Sequence, residues 1–419
     1  MKDMQYGLIG EKLGHSFSKE VHAALADYDY RLVELSRDEL DTFMRERSFK
    51  AINVTVPYKS AVIPYLDVVD DAAREIGAVN TVKRVGDKLY GYNTDVLGLR
   101  DLILRVLPAP DLCGKTVLIL GSGGTSKTAR AVCSSLGASE VVTVGRVARD
   151  GIVDYESAYR DFSHADLIVN TTPLGMYPEQ DACPIDISRF TALSGVVDVV
   201  YNPLRTDLVL SAKKRGIPAE GGLYMLVSQA VHACEIFTET VIAPERVSAV
   251  FSDIRASKEN IILVGMPGCG KSTVGRRLAA ELGRPFIDTD ELIVKRDGRP
   301  ITQIFAENGE LYFRELESSV IRDVCLQSRG AVIATGGGAV LREENVHALR
   351  RVGRIYFLDR DIENIRPTAD RPLSLDREAL SRRYRERYPI YCAACDLHLT
   401  PDESVNSRVQ CIKKEFLSI

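Results

Sequence analysis

The chain has 419 residues, which is more than one hydrophobic core usually supports, so we expect two or three domains. Apolar residues make up 45% and charged residues 27%, as in soluble globular proteins, and a net charge of -4 provides no basic field for nucleic acid or an anionic membrane. We therefore expect neither as a partner. The nine cysteines have no paired spacing beyond Cys392 and Cys395, and without a second pair they indicate free thiols rather than zinc. No segment has the length of a membrane helix, so we expect a cytoplasmic protein.

Short apolar runs alternate with helical patterns along the chain. This alternation predicts an α/β fold with parallel sheets covered by helices. The predicted strands are residues 6–9, 51–56, 116–120, 141–144, 167–170, 196–200, 261–264, 331–334 and 354–358. A polar string at residues 256–260 precedes a new strand, which places a domain junction near residues 255–260.

Polar clusters interrupt the apolar pattern of the first hundred residues. They are Asn53, Thr55 and Lys59 at a strand end, then Asn80 and Thr81, then Asn93, Thr94 and Asp95. Polar groups concentrated at strand ends are more often ligand contacts than packing, although capping side chains with a surface lysine are the alternative.

A glycine-rich turn follows the predicted strand at residues 116–120. Such a turn between strand and helix can place a pyrophosphate at a helix N-terminus, and its candidate residues are Gly121, Gly123, Gly124, Thr125 and Ser126. The next strand ends in Gly145-Arg146, with Arg149 close behind. Because an arginine there suits a 2'-phosphate, while an acidic residue would hold a free 2'-hydroxyl, the pattern favours NADP over NAD.

These motifs, with His15-Ser16-Phe17-Ser18, residues 170–176 and residues 221–230, resemble shikimate dehydrogenase over about residues 4–255. The resemblance implies that Lys59 and Asp95 form the catalytic pair. It implies a substrate carboxylate site of Ser16, Ser18 and Tyr201, ring-hydroxyl ligands Thr55, Asn80, Asp95 and Gln229, and further cofactor contacts at Thr171, Gly222 and Met225. One departure is Lys19, where the family usually has proline; it adds a positive charge near the carboxylate site.

A second nucleotide motif begins past the middle of the chain. Residues 265–272, Gly-Met-Pro-Gly-Cys-Gly-Lys-Ser, lie between a predicted strand and a helix and form a phosphate loop. Its candidate nucleotide contacts are Gly268, Cys269, Gly270, Lys271, Ser272 and Thr273, with Ser272 also a ligand for Mg2+. Asp288 and Asp290 follow at a spacing of two, which on an extended segment places both carboxylates on one side.

With Phe313-Arg314-Glu315, residues 335–339, residues 370–373 and residues 387–391, this half resembles shikimate kinase. The resemblance implies that Asp290 orients the acceptor hydroxyl and that Asp288 and Ser272 hold magnesium. It implies that Arg314 and Arg387 bind the carboxylate and that Gly336, Gly337 and Gly338 let the backbone approach the ring. Arg371 would neutralise charge from a lid, and Arg366 would stack on adenine.

Together the resemblances imply a bifunctional enzyme that uses NADP(H), ATP and Mg2+. It would reduce 3-dehydroshikimate to shikimate and phosphorylate the product. The expected domains are a substrate domain, 1–100, completed by helices in 222–256; a Rossmann domain, 101–221; and a P-loop kinase domain, 258–419. A monomer or weak homo-oligomer is expected.

Three alternatives stay open at this stage. The first half could oxidise quinate with NAD, and the second could phosphorylate another polyol such as gluconate. One half could also be a regulatory ligand-binding module without turnover.

Overall fold

The computed structural model describes residues 4–14, 17–108, 112–365, 377–400 and 404–418. The chain divides into two units, Met1–Ile254 and Arg255–Ile419. Within the described ranges, every helix is too short or too polar to cross a lipid bilayer. The finer predicted boundaries at 100/101, 221/222 and 257/258 stay predictions.

The first unit contains a mixed sheet with strand order β2-β1-β3-β5-β6-β4. Its strands are β1 (Tyr6–Gly10), β2 (Tyr30–Glu34), β3 (Ala51–Val54), β4 (Val68–Val69), β5 (Thr81–Val85) and β6 (Lys88–Tyr92). Helices α1 (Ser18–Leu25), α2 (Arg37–Glu46), α3 (Asp71–Ile76) and α4 (Thr94–Val106) lie between or after them. Every residue of β3 is buried.

The antiparallel pairs β3–β5 and β5–β6 were not part of the expected parallel sheet. The hairpin strands carry Lys83, Arg84 and Lys88, so their apolar runs are too short to stand out in the sequence. Gly86, at φ 60°, lies in the tight turn that joins them.

A second sheet in the same unit is entirely parallel, with order β12-β11-β10-β7-β8-β9. Its strands are β7 (Thr116–Leu120), β8 (Glu140–Gly145), β9 (Ile152–Asp154), β10 (Leu167–Asn170), β11 (Gly195–Asp198) and β12 (Ala219–Glu220). The helices between or after these strands are α5 (Gly124–Ser135), α6 (Tyr155–Asp161), α7 (Asp207–Lys214), α8 (Leu223–Thr238) and α9 (Pro244–Lys258), whose last four residues belong to the second unit. Because β7 lies between β8 and β10, the order of successive strands reverses at β7. In folds of this type, ligands bind beside the carboxyl ends of the strands at such a reversal.

The second unit has a parallel five-stranded sheet with order β14-β15-β13-β16-β17. Its strands are β13 (Asn260–Val264), β14 (Phe286–Asp288), β15 (Val332–Ala334), β16 (Gly353–Leu358) and β17 (Leu397–Leu399). Its helices are α10 (Lys271–Leu282), α11 (Thr289–Asp297), α12 (Ile301–Gln327), α13 (Glu343–Val352), α14 (Arg377–Ala394) and α15 (Val405–Leu417). The central strand β13 is buried throughout and leads into the phosphate loop.

All nine predicted strands overlap observed strands, and the α/β class is confirmed. The third strand of the chain ends at Val54 rather than residue 56, close to Pro57, which has no N–H for a sheet hydrogen bond. The unpredicted strands are short or carry charged residues, so no apolar run marks them.

Candidate active sites

Lys59 and Asp95 form the first candidate site. Lys59 follows β3, and Asp95 lies in the first turn of α4. Lys59 Nζ donates to Asp95 Oδ2 at 2.7 Å, and the two side chains are 33% and 20% exposed. An ammonium paired with a carboxylate and still open to solvent can donate a proton to a bound oxygen and be recharged.

A buried amide network fixes the start of α4. Asn80 is 3% exposed; its Oδ1 accepts from Thr94 N at 2.7 Å, and its Nδ2 donates to Thr94 Oγ1 at 3.0 Å. Asn53 Nδ2 donates to Thr81 Oγ1 at 3.0 Å beneath it. Asn80 therefore also has a structural role, because it holds the helix that carries Asp95.

Tyr201 lies beside the start of α1. Its ring packs edge-on against Phe17, with centroids 5.5 Å apart, and Phe17 directly precedes Ser18, the first residue of the helix. Burial raises the pKa of Tyr201, so its hydroxyl stays protonated at neutral pH and can donate to a carboxylate. Ser18 is buried, and Ser16 lies outside the described residues.

Gln229 reaches the same region through close packing of α8 on α4. A Cβ on Gly98 of α4 would lie 2.8 Å from Met225 O and 2.9 Å from Gln229 Cβ. Only glycine allows this approach, which places Gln229 one turn from Asp95 along the α4 surface. Thr55 directly follows β3, and its methyl group lies 2.7 Å from the Cβ position of Gly10.

An ionic cluster joins the same two helices and was not predicted. Asp101 Oδ2 on α4 accepts from Ser228 Oγ at 2.5 Å and pairs with His232 Nε2 at 2.9 Å, both on α8. His232 Nδ1 pairs with Glu235 at 3.1 Å, and Arg100 is 4.0 Å from Asp101. Burial disfavours charge on His232, but the contacts with Asp101 and Glu235 outweigh it and raise the pKa of the imidazole.

We expect His232→Gln to destabilise the first unit in a pH-dependent way. Because the folded pKa is raised above the ordinary value of 6.5, the contribution is complete below about pH 6.5 and is lost as the pH rises through the folded pKa. The loss should be about 1 kcal/mol near pH 6 and smaller at pH 9. Urea unfolding of the full chain at both pH values measures it, with exposed His164→Gln as control. A difference that does not change with pH would contradict this assignment.

The backbone of the dinucleotide loop is least crowded by other residues at Gly123 and Gly124. Gly121, at φ 102°, has its Cβ position 3.0 Å from Thr171 Oγ1, so it must remain glycine for the turn to form. Apart from adjacent residues and the nearby backbone of α5, no described atom lies within 4 Å of the Cβ positions of Gly123 and Gly124. Space for a pyrophosphate is therefore greatest at these two residues, whereas Thr125 is half-buried and Ser126 is buried.

The remaining predicted cofactor residues lie around this loop and at the start of α8. Arg146 and Arg149 are exposed after β8, and Arg149 Nη2 donates to Ser122 Oγ at 3.0 Å, so it reaches the loop. Gly222 precedes α8, and its Cβ position lies 2.0 Å from Val199 O, which gives this glycine a packing role. Met225, in the first turn of α8, is half-buried.

The phosphate loop of the second unit lies between β13 and α10. Gly268 and Gly270 have φ of 83° and 102°, and Lys271 Nζ donates to Gly265 O at 2.9 Å and Met266 O at 3.0 Å. The side chain of Cys269 is buried in the core, so only its backbone can serve a phosphate. Thr273 lines the adjoining cavity.

A hydroxyl and a carboxylate meet beside the loop. Ser272 Oγ donates to Asp288 Oδ2 at 2.7 Å, while Asp288 Oδ1 accepts from Asp290 N at 3.0 Å and caps α11. These oxygens are the ligand type that Mg2+ prefers, and phosphate and water would complete its shell. Ser272 and Asp288 therefore fit a magnesium site.

One cavity of about 480 Å³ connects the phosphate loop with the predicted acceptor residues. Asp290, Arg314, Arg387 and the glycine run 336–338 all line it. A Cβ atom would lie 2.6 Å from Glu317 Oε1 if placed on Gly336, and 2.6 Å from Pro267 Cδ if placed on Gly337. On Gly338 it would lie 2.0 Å from Arg314 Nη1. Because residues 336–338 lack side chains, these neighbouring groups can approach their backbone closely.

Glu317 belongs to this cavity and was missed. Arg314 Nη1 donates to Glu317 Oε2 at 2.7 Å, and Arg387 Nη1 donates to Gly337 O at 3.1 Å. Burial raises the pKa of the Glu317 carboxyl, and the nearby charge of Arg314 only partly offsets this effect. Glu317 follows Arg314 by three residues on α12, and residues at that spacing are neighbours on a helix surface, so the sequence did contain a signal for this pair.

Two predicted residues of the second unit, Arg366 and Arg371, lie outside the described residues.

The folds and sites define a chain in which a dinucleotide-binding unit precedes a P-loop unit. Residues 8–82 match the family model "Shikimate dehydrogenase substrate binding domain", and residues 267–416 match "Shikimate kinase". The shikimate dehydrogenase (NADP(+)) of Clostridium beijerinckii is 32% identical over 268 residues, which cover 59% of this chain and 96% of that protein.

Two solved structures resemble the first unit. A chorismate mutase/shikimate 5-dehydrogenase fusion protein from Clostridium acetobutylicum has 33% identity and a TM-score of 0.56, covering 61% of this chain and 97% of that one. Quinate dehydrogenase from Corynebacterium glutamicum, in complex with NAD, has 29% identity and a TM-score of 0.53, covering 60% and 99%. The chain belongs to the shikimate dehydrogenase family and carries a shikimate kinase domain in its second half.

Proposed function

We propose that the first unit reduces 3-dehydroshikimate to shikimate with NADPH. The observation that carries this proposal is the partly exposed pair of Lys59, after β3, and Asp95, in the first turn of α4, whose Nζ and Oδ2 atoms are 2.7 Å apart. When bound, NADPH would supply the hydride that the carbonyl carbon accepts. Lys59 gives its proton to the carbonyl oxygen, and Asp95 holds the ammonium and the neighbouring ring hydroxyl.

Ser16, Ser18 and Tyr201 would bind the acid's carboxylate, and Thr55, Asn80 and Gln229 would bind its hydroxyls. The contact between Tyr201 and Phe17 supports the first group, and the close approach at Gly98 supports Gln229.

We expect the double variant Arg146→Gln/Arg149→Gln to raise the KM for NADPH about tenfold or more, since charge-assisted hydrogen bonds to the 2'-phosphate are lost. The KM for NADH should change little, because NADH lacks that phosphate. Steady-state kinetics with both cofactors measure the difference, with exposed Arg189→Gln as control. Wild-type preference for NADH and quinate would favour the alternative that the quinate dehydrogenase similarity raises.

We propose that the second unit phosphorylates shikimate on its 3-hydroxyl with ATP and Mg2+. The shared cavity of Lys271, Asp290, Arg314 and Arg387 carries this proposal. Lys271 would hold the terminal phosphates, with Ser272 and Asp288 at the metal, and Asp290 would orient the hydroxyl in line. The lid role of Arg371 and the adenine-stacking role of Arg366 remain predictions.

Separate assays test the two proposals. The purified chain should oxidise NADPH with 3-dehydroshikimate alone and release ADP from MgATP with shikimate alone. Gluconate in place of shikimate should release no ADP above background. Turnover of only one reaction would leave the other unit as a binding module.

Cytoplasmic localisation and a monomeric or weakly oligomeric state remain predictions. Buried free thiols such as Cys133 and Cys325 support a reducing compartment. Light scattering across a range of concentrations measures the assembly state.

A further inference from the structure

Arg383 lines the cavity of the second unit, and none of the predicted roles involves it. It lies on α14 one turn before Arg387. Its Nη1 is buried and has no hydrogen-bond partner among the described residues. Burial, and then the charge of Arg387, lower the pKa of its guanidinium. A buried cationic nitrogen without an acceptor is unfavourable, and a bound anion would relieve that cost.

The charges around Arg383 indicate which anion it meets. Arg314 is already paired with two carboxylates, Glu310 at 3.0 Å and Glu317 at 2.7 Å. Asp290 adds a third carboxylate to this end of the cavity. Among these five side chains, the two arginines Arg314 and Arg387 against three carboxylates would leave a net charge of -1, which would disfavour an anionic acceptor. Arg383 restores the balance before the acceptor binds.

We propose that Arg383 is a third arginine of the acceptor site and binds the carboxylate of the ring acid together with Arg314 and Arg387. The inference rests on the proposed kinase function. A guanidinium suits this role because its planar N–H groups match the two oxygens of a carboxylate.

The first test is kinase kinetics of Arg383→Gln in the full chain. The KM for shikimate should rise about tenfold, the effect of one lost charge-assisted hydrogen bond, with kcat within about twofold. Arg385→Gln is the matched control, because Arg385 is exposed on the same helix and its Nε donates to the backbone oxygen of Ser381 at 3.4 Å. It should behave as wild type. An unchanged KM in Arg383→Gln would overturn the inference.

The second test distinguishes carboxylate binding from a structural role. Calorimetric titration with shikimate and with its uncharged methyl ester gives the preference of the site for the acid. In Arg383→Gln that preference should fall about tenfold, because only the acid loses a charged contact. An equal loss for acid and ester would indicate a structural role and overturn the inference. Weaker product inhibition with unchanged shikimate binding would assign Arg383 to the phosphate and also overturn it.

If the wild-type protein released no ADP in a shikimate-dependent way, the proposed kinase function would fail, and not only the inference about Arg383. Loss of only the Arg383 effect leaves that function in place.

Discussion

Lys59→Ala will reduce the rate of 3-dehydroshikimate reduction about 1000-fold and leave shikimate phosphorylation by the same chain unchanged. Removing the general acid leaves the developing alkoxide without a proton donor, and general acid catalysis typically contributes factors of this size. The 2.7 Å contact also means that Asp95 loses its cationic partner. Lys59→Arg should restore little activity, because guanidinium is a much weaker acid than ammonium.

NADPH oxidation at saturating 3-dehydroshikimate measures the first activity, and ADP release with shikimate measures the second in the same sample. Exposed Lys88→Ala serves as the control and should retain both. A loss below about tenfold in Lys59→Ala would show that another group donates the proton. An equal loss of both activities would indicate a folding defect.

Asp290→Asn will produce the reciprocal pattern. The kcat of shikimate phosphorylation should fall about 1000-fold, since the acceptor hydroxyl loses the carboxylate that orients it and takes its proton. The dehydrogenase reaction should remain at wild-type rate. Asparagine has almost the same shape as aspartate, so the first turn of α11 should keep its structure.

ADP release at saturating MgATP measures this effect, with Glu343→Gln, an exposed residue on α13, as control. Phosphate-loop occupancy can be followed separately by binding of a fluorescent ATP analogue, which Asp290→Asn should leave unchanged. Kinase activity within tenfold of wild type would contradict the assigned role of Asp290.

The two nucleotide loops could be predicted because each is contiguous in sequence. Residues 265–272 contain the complete phosphate loop between β13 and α10, and residues 121–126 contain the turn after β7. Their glycines adopt positive φ at Gly121, Gly268 and Gly270, which other residues rarely tolerate. Local steric demands of this kind are visible in a single sequence.

Contacts between residues far apart in the sequence were harder to predict. Lys59 and Asp95 are 36 positions apart and were paired only through a family resemblance. Asp101 and His232 are 131 positions apart, and no local pattern marks their contact. Burial was also invisible in the sequence: Asn80 and Ser126 are 3% and 4% exposed, and no local pattern marks either side chain as enclosed. Glu317 was missed because a single acidic residue on a helix is usually a solvated one.

We propose that one hydroxylated ring acid is made by the first unit and used by the second. The most direct measurement supplies the purified chain with 3-dehydroshikimate, NADPH and MgATP, and follows the products by phosphorus NMR. We predict one new phosphomonoester signal, with NADPH oxidised and ADP released in equal final amounts. NADPH oxidation that ends at shikimate without ADP, or ADP release that does not depend on 3-dehydroshikimate, would contradict it.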